Sequence, residues 1–330
     1  MSLLEVEDLR VTYGTDAGPV PAVRGVSFSV ARGEVLGVAG ESGCGKSTIA
    51  HALLRLLPSG TETTGTVRLD GEDVFAMRPG ELRAVRWAGT SIVFQGAMHA
   101  LNPVQMIGSQ ISEAIALHGS GSSREAAARV DDLLNRVGIP PRRARDYPHE
   151  FSGGQRQRVM IAMALACEPN LVIADEPSTA LDVMVQAQVL ALLKDLQREM
   201  GQAMVFITHD LAVLVEMCDR IAVMYAGRIV EEGPARDVFD SPAHPYTEAL
   251  AASFPTIGDR RFRKAPAGLL GDPPSPEALP SGCTFHPRCP RAFDDCPDVD
   301  PVLTPSGVGR RAACLLLAGA GARSAEAGRP

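Results

Sequence analysis

Eight residues, Gly40-Glu41-Ser42-Gly43-Cys44-Gly45-Lys46-Ser47, lie between the apolar run VLGVA at 35–39 and the helical pattern TIAHALLRLL at 48–57. No other stretch constrains the fold as much. A G-x-x-x-x-G-K-[ST] loop between a buried strand and a helix turns its backbone N–H groups inward at the positive end of the helix dipole, and so forms a phosphate cradle. In such a loop Lys46 places a point charge on the β and γ groups and Ser47 ligates Mg²⁺. Lys46 is one of only three lysines among 32 basic residues, so lysine here marks a need for a compact ammonium rather than a planar guanidinium. The expected nucleotide contacts are Gly40, Glu41, Ser42, Gly43, Cys44, Gly45, Lys46, Ser47 and Thr48.

The surrounding pattern is α/β. Residues 3–12 and 22–30 alternate apolar and polar as half-buried strands do, whereas VLGVAG (35–40) and LVIAD (171–175) are short continuous apolar runs suited to buried parallel strands. Strand-then-helix order recurs after both, and again where AMVFITHD is followed by LAVLVEMCDR. This alternation predicts a mainly parallel sheet. Between about 96 and 150 the pattern turns helical: Ser122 and Glu125 form a capping box, Val130, Leu133, Leu134 and Val137 follow at helical spacing, and Gly138 ends the run before Pro140-Pro141. IAVMYAGRIVEEG reads as a hairpin turning at Ala226-Gly227, and Pro234 opens a different regime. Two domains are therefore expected, 1–235 with a helical insertion and 236–330. Residues 255–305 are rich in proline and charge and have too few periodic apolar residues for a core of their own, so this tail needs a staple or stays disordered.

LVIADEP ends a buried strand in two carboxylates. Asp175 is expected to hold the Mg²⁺ shell, and Glu176 to act as general base on an attacking water. His209, leaving a strand in FITHD, sits at the sheet edge where loops carry function, as a sensor or hydrogen-bonding residue near the γ-phosphate. Gln95, after SIVF, ends another strand and is expected to touch the metal or the water. A second anion site is implied by FSGGQRQR at 151–158, where Ser152-Gly153-Gly154 opens a long helix pattern about a hundred residues after the first cradle. One nucleotide rarely needs two cradles.

The order of these motifs resembles that of ABC-type ATPase domains: loop 40–48, Gln95, SGGQ at 152–155, LVIADEP at 171–177, STALD at 178–182 and His209. The match runs from residue 3 to about 232. It implies a P-loop NTPase core with a mainly parallel sheet, an antiparallel β subdomain and a helical subdomain, with ATP and Mg²⁺ as cofactors. It also explains the second cradle. Ser152, Gly153, Gly154 and Gln155 would complete the γ-phosphate site of a second ATPase chain, and Asp182, at the end of STALD, is expected among the nucleotide-binding residues. Tyr13, in VTYG, occupies the position where such domains stack an aromatic ring on adenine.

A narrower likeness, carried by YPHEFSGGQRQRVMIAMALACEPNLVIADEP, HPYTEAL and GCTFHPRCPRA, is to the ATPase subunits of bacterial dipeptide and oligopeptide importers. That resemblance implies a second ATPase chain, usually a paralogue, two membrane permeases and an external solute-binding protein. It makes 236–330 the extended C-terminal region of that branch, and a peripheral place on the cytoplasmic face of the membrane follows. The sequence departs from the family at FQGAMHALNP, where Gly96 and Ala97 replace an acidic residue and a proline.

Formal net charge of −7 gives no global attraction to nucleic acid or anionic lipid, so partners are recognised locally. The N-terminus has acidic residues where a signal peptide would be basic, and nowhere do about 18 apolar residues run together. A cytosolic chain is expected, and seven cysteines there do not suggest a disulfide framework. Cys44, Cys167 and Cys218 read as small buried or loop residues. Cys283, Cys289, Cys296 and Cys314 crowd the tail without any C-x-x-C pair. This weakens a zinc-ribbon reading and favours a [4Fe–4S] cluster over Zn²⁺, which would also supply the missing staple. Three functions are compatible with these motifs: a transport ATPase for peptides, nickel or another small solute; a soluble ABC ATPase acting on ribosomes or DNA; and a nucleotide-binding scaffold without turnover. The absence of a duplicated ATPase unit, of a long coiled coil and of a basic patch disfavours the second. Intact Lys46, Asp175, Glu176 and His209 disfavour the third.

Overall fold

The computed structural model describes residues 2–16, 18–94, 100–118, 122–179, 181–253, 269 and 271–317. Two compact units emerge, both discontinuous in sequence: Met1–Glu5, Ser29–Val35 and Val67–Ile207 form one, and Val6–Phe28, Leu36–Thr66 and Thr208–Pro330 form the other.

In the first unit three strands run parallel: β6 (Thr90–Val93), β7 (Leu171–Asp175) and β8 (Ala203–Ile207), with Thr90 opposite Leu171 and Asp175 opposite Ile207. Every residue of β7 and β8 is buried, as continuous apolar runs require when both faces are covered. The helices Ile107–His118, Ser123–Arg136, Gly153–Ala164 and Val183–Met200 belong to the same unit. The capping box is formed as its sequence requires. Ser122 N donates to Glu125 Oε2 at 2.6 Å, Glu125 N donates to Ser122 Oγ at 3.4 Å, and Val130, Leu133 and Leu134 are buried.

In the second unit β3 (Val35–Ala39) pairs in parallel with β9 (Arg220–Tyr225), which turns at Ala226-Gly227 into antiparallel β10 (Arg228–Pro234). Beyond β10 the ladder continues through β12 (Arg310–Ala312) to β11 (Thr304–Gly307). The remaining strands are β1 (Ser2–Thr15), β2 (Gly18–Ala31), β4 (Glu62–Leu69) and β5 (Glu72–Asp73); within the first unit β5 pairs antiparallel with the end of β4, Leu69 opposite Glu72.

The proline-rich tail is fastened by protein contacts. Phe285 is only 1% exposed and packs edge-on against Tyr225 and Tyr246, with ring centroids 5.3 and 5.4 Å away. Aromatic burial of this kind stabilises by roughly 2–3 kcal/mol per ring. β11 and β12 extend an existing ladder instead of building a new sheet. Among the described residues of the tail, Phe285 packs into the core of the second unit.

Candidate nucleotide-binding site

β3 delivers the chain into loop 40–47, and helix Lys46–Leu53 leaves it. Gly45 starts that helix in the left-handed region at φ 104°, and a Cβ there would lie 2.3 Å from the Ala22 carbonyl oxygen. Only glycine fits. No side-chain cap bond closes this helix and no acidic residue stands in its first turn, a helix start whose dipole suits an anion. Lys46 is 5% exposed, and its ammonium donates to the carbonyls of Gly40 at 2.8 Å and Glu41 at 2.9 Å, so the charge is held over the loop. Burial pushes the Cys44 thiol up, and Lys46 opposes that shift. Tyr13 donates through its hydroxyl to Thr48 Oγ1 at 3.1 Å, which fixes the aromatic ring beside the first helical turn. His209 is exposed, and its neighbour Thr208 donates from its amide to the Val38 carbonyl at 3.2 Å, near the end of β3. Tyr13, the loop and His209 all belong to the second unit.

The other predicted residues belong to the first unit. Asp175 is buried at the end of β7. Glu176 follows with φ of 45°, an uncommon conformation for a residue with a Cβ, which costs about 1–3 kcal/mol and is characteristic of functional sites. The neighbours enforce it: Glu176 N donates to the Ile207 carbonyl at 2.9 Å, and Thr179 Oγ1 donates to Glu176 Oε2 at 2.9 Å. Ser152 opens helix Gly153–Ala164 with a capping box of its own. Gln155 N donates to Ser152 Oγ at 3.3 Å and Ser152 N donates to Gln155 Oε1 at 3.1 Å. A Cβ on Gly154 would lie 2.3 Å from Val185 Cγ1, so this glycine is also required by the close approach of helix Val183–Met200. Asp182 caps that second helix, its Oδ1 accepting from Val185 N at 3.0 Å. Gln95 lies outside the described residues.

The ABC transporter family profile matches residues 23–179, and that of the oligopeptide/dipeptide transporter C-terminal region matches 230–296. The chain is 46% identical over 315 residues to the oligopeptide transport ATP-binding protein OppD of Salmonella typhimurium, covering 95% of this chain and 93% of that protein. It is 44% identical over 306 residues to the dipeptide transport ATP-binding protein DppD of Bacillus subtilis, covering 92% and 91%. The chain belongs to the ABC transporter family of ATPases. Among solved structures, the ATP-binding cassette MJ0796 in a dimeric post-hydrolysis state with ADP and Pi superimposes with a TM-score of 0.63 at 29% identity, over 71% of this chain and 99% of that one.

Sequence reasoning missed two supports of this ABC ATPase. Arg143 stacks its guanidinium 3.9 Å from the centroid of Phe151 and donates to Asp146, to the Glu150 carbonyl and to Gln155 Oε1, so it braces the start of helix Gly153–Ala164. Its only sequence signal was the basic run before the motif. Arg288 pairs with Glu41 in the phosphate loop, a contact between residues 247 positions apart that no local pattern encodes.

The expected metal staple on Cys283, Cys289, Cys296 and Cys314 is not supported by the geometry. Among the described residues no group of three or more His, Cys, Asp or Glu side chains could hold a metal ion. The four thiols do share one neighbourhood, and each accepts a backbone N–H, from Phe285, Arg291, Phe293 and Leu316 respectively. Burial pushes the thiols of Cys283, Cys289 and Cys314 up. Among the described residues, no helix is long and apolar enough to cross a membrane.

Proposed function

We propose that this chain is the ATP-hydrolysing subunit of an importer, coupling ATP at a two-chain interface to uptake of di- or oligopeptides through partner permeases. The observation that carries this reading is 46% identity along 95% of the chain to a protein named for oligopeptide transport, with the C-terminal region matched as well as the cassette. The donor chemistry suits the cofactors. A glycine-walled cradle at an uncapped helix start fits a triphosphate, and the hydroxyl of Ser47 and the carboxylate of Asp175 are hard oxygen donors of the kind Mg²⁺ takes. Bound Mg²⁺-ATP supplies the phosphoryl group. In this reading loop 40–48 with Lys46 grips the phosphates, Tyr13 stacks on the base, and Glu176 takes the proton of an attacking water. His209 and Gln95 hold the γ-phosphate and water. Ser152, Gly153, Gly154 and Gln155 serve the site of the neighbouring ATPase chain, a paralogue, and Asp182 is a further nucleotide-binding residue.

The division at 235, with a helical subdomain at about 96–150, belongs to the same proposal. So do the two permeases, the solute-binding protein and the peripheral position on the cytoplasmic face. Glu176→Gln in the assembled complex is expected to keep ATP binding and lose turnover by about two to four orders of magnitude; near-normal phosphate release overturns the general-base role. Transport by the reconstituted complex over a peptide panel tests the cargo, and uptake of nickel or another small solute instead would replace it.

We also propose that the four tail thiols take up a metal, [4Fe–4S] ahead of Zn²⁺. What supports it is four soft donors in one neighbourhood, each receiving an N–H bond, although they must draw closer to bind. Iron, sulfide and zinc content of full-length protein purified without oxygen tests this, and metal-free protein overturns it.

A further inference from the structure

Glu41 is an acid inside a loop built to hold a polyanion. Its carboxylate is not left to the loop: Arg288 Nη1 donates to Oε2 at 2.6 Å and Nη2 to Oε1 at 3.0 Å, a two-pronged pair whose side chains are 7% and 20% exposed. Arg288 is itself held, donating to the Gly271 carbonyl at 2.9 Å and to the Tyr225 hydroxyl at 3.4 Å. The backbone of Glu41 is fixed from the same side, since its N–H donates to the hydroxyl of fully buried Tyr246 at 2.9 Å. Meanwhile its carbonyl accepts from Lys46 Nζ. Two residues C-terminal to β10 thus converge on one residue of the phosphate loop.

Partly buried charges are poorly screened, so a bare Glu41 carboxylate would repel a triphosphate gripped by its own loop. We propose that Arg288 is a positioning residue for nucleotide binding: it cancels the charge of Glu41, so that the affinity of the loop for ATP is set by the C-terminal region of the same chain. This rests on reading loop 40–48 as the nucleotide site.

The test compares variants that break the same pair from opposite ends. ATP and ADP are titrated into full-length R288M, E41Q and the double variant at low and high salt, with a thermal melt for each. R288M is expected to weaken ATP binding about tenfold, or about 1.4 kcal/mol, less for ADP and less at high salt. E41Q breaks the same pair yet is expected to tighten ATP about threefold, because it leaves a cation near the phosphates. The double variant should lie within about twofold of the parent. If both single variants weaken ATP alike, the pair merely anchors the tail and the proposal is overturned. Should R288M melt too low to titrate, the direction of the E41Q change decides alone. K46A separates the two readings: lost binding in K46A with unchanged R288M removes only the role of Arg288, whereas normal binding in K46A removes the loop reading itself.

Discussion

Two helix starts in this chain were read from sequence as anion sites, and they are built in opposite ways. Helix Lys46–Leu53 begins at a left-handed glycine with no side-chain cap and a buried lysine folded over it. Helix Gly153–Ala164 begins at Ser152, whose hydroxyl and amide are both engaged by Gln155 in a closed box. The first start carries no side-chain cap, whereas the second is closed by its own residues. A glycine-rich helix start is therefore not one device. The first is expected to bind nucleotide in the isolated chain, and the second is expected to contribute only where another chain brings phosphates to it.

The largest expected effect falls on the first start. Gly45→Ala places a methyl group 2.3 Å from a carbonyl oxygen at a φ that L-residues avoid, so ATP affinity should drop by about a hundredfold or more in an equilibrium titration. A smaller loss would mean the loop tolerates reshaping and the contrast between the two starts is overstated. Gly154→Ala acts by packing instead. Its new methyl meets Val185 Cγ1, and a loss of about 2–3 kcal/mol in denaturant unfolding is expected, largely recovered by adding Val185→Ala. Without that recovery, the glycine is required by something other than helix contact.

Much of this was legible beforehand, and the boundary is physical. Strand runs, the hairpin turn and the Ser122 capping box are local in sequence, and local rules reached them; the Ser152 box is just as local but was read only as a glycine-rich helix start. Composition also marked the tail as a segment in need of fastening. That Phe285 lies against Tyr225 and Tyr246 is written in no local window. The same holds for Arg288 on Glu41 and for Arg143 behind the Ser152 box: long-range pairing of charges leaves no periodicity. The left-handed Glu176 was equally hidden, since its strain is imposed by Ile207 and Thr179 and not by its own type.

A third helix start adds pH to the comparison. His244 caps helix Pro245–Ala252 by accepting from Tyr246 N at 3.0 Å through Nδ1, which it can do only while that nitrogen is unprotonated. Burial lowers its pKa from 6.5 to about 4; the bond to Ala313 opposes the shift and Arg291 adds to it. The unfolded chain therefore takes up the proton first as pH falls. Stability contributed by neutral His244 is intact above about 6.5 and fully lost below about 4, with roughly 2 kcal/mol gone by pH 5. Denaturant unfolding at pH 7 and pH 5 should show a drop that is smaller by that amount in His244→Gln. Equal drops would mean the histidine is not held neutral. The same cap carries Tyr246, whose hydroxyl accepts from the phosphate loop at Glu41, so acid should loosen that loop before it unfolds the chain.

The smallest effect separates a cap from a site most cleanly, because the chain contains the same box twice. Ser122 with Glu125 and Ser152 with Gln155 share geometry and both serines are exposed, so Ser→Ala at either should cost about 1 kcal/mol of stability. Only one of them precedes a glycine pair braced by Arg143 through Gln155. In the assembled complex Ser152→Ala is expected to reduce ATP turnover about tenfold, and Ser122→Ala to leave it within about twofold of the parent at equal folded fraction. Equal turnover in the two variants would reduce the second cradle to an ordinary helix start, and the reason for a glycine pair at 153–154 would then be the approach of Val185 alone.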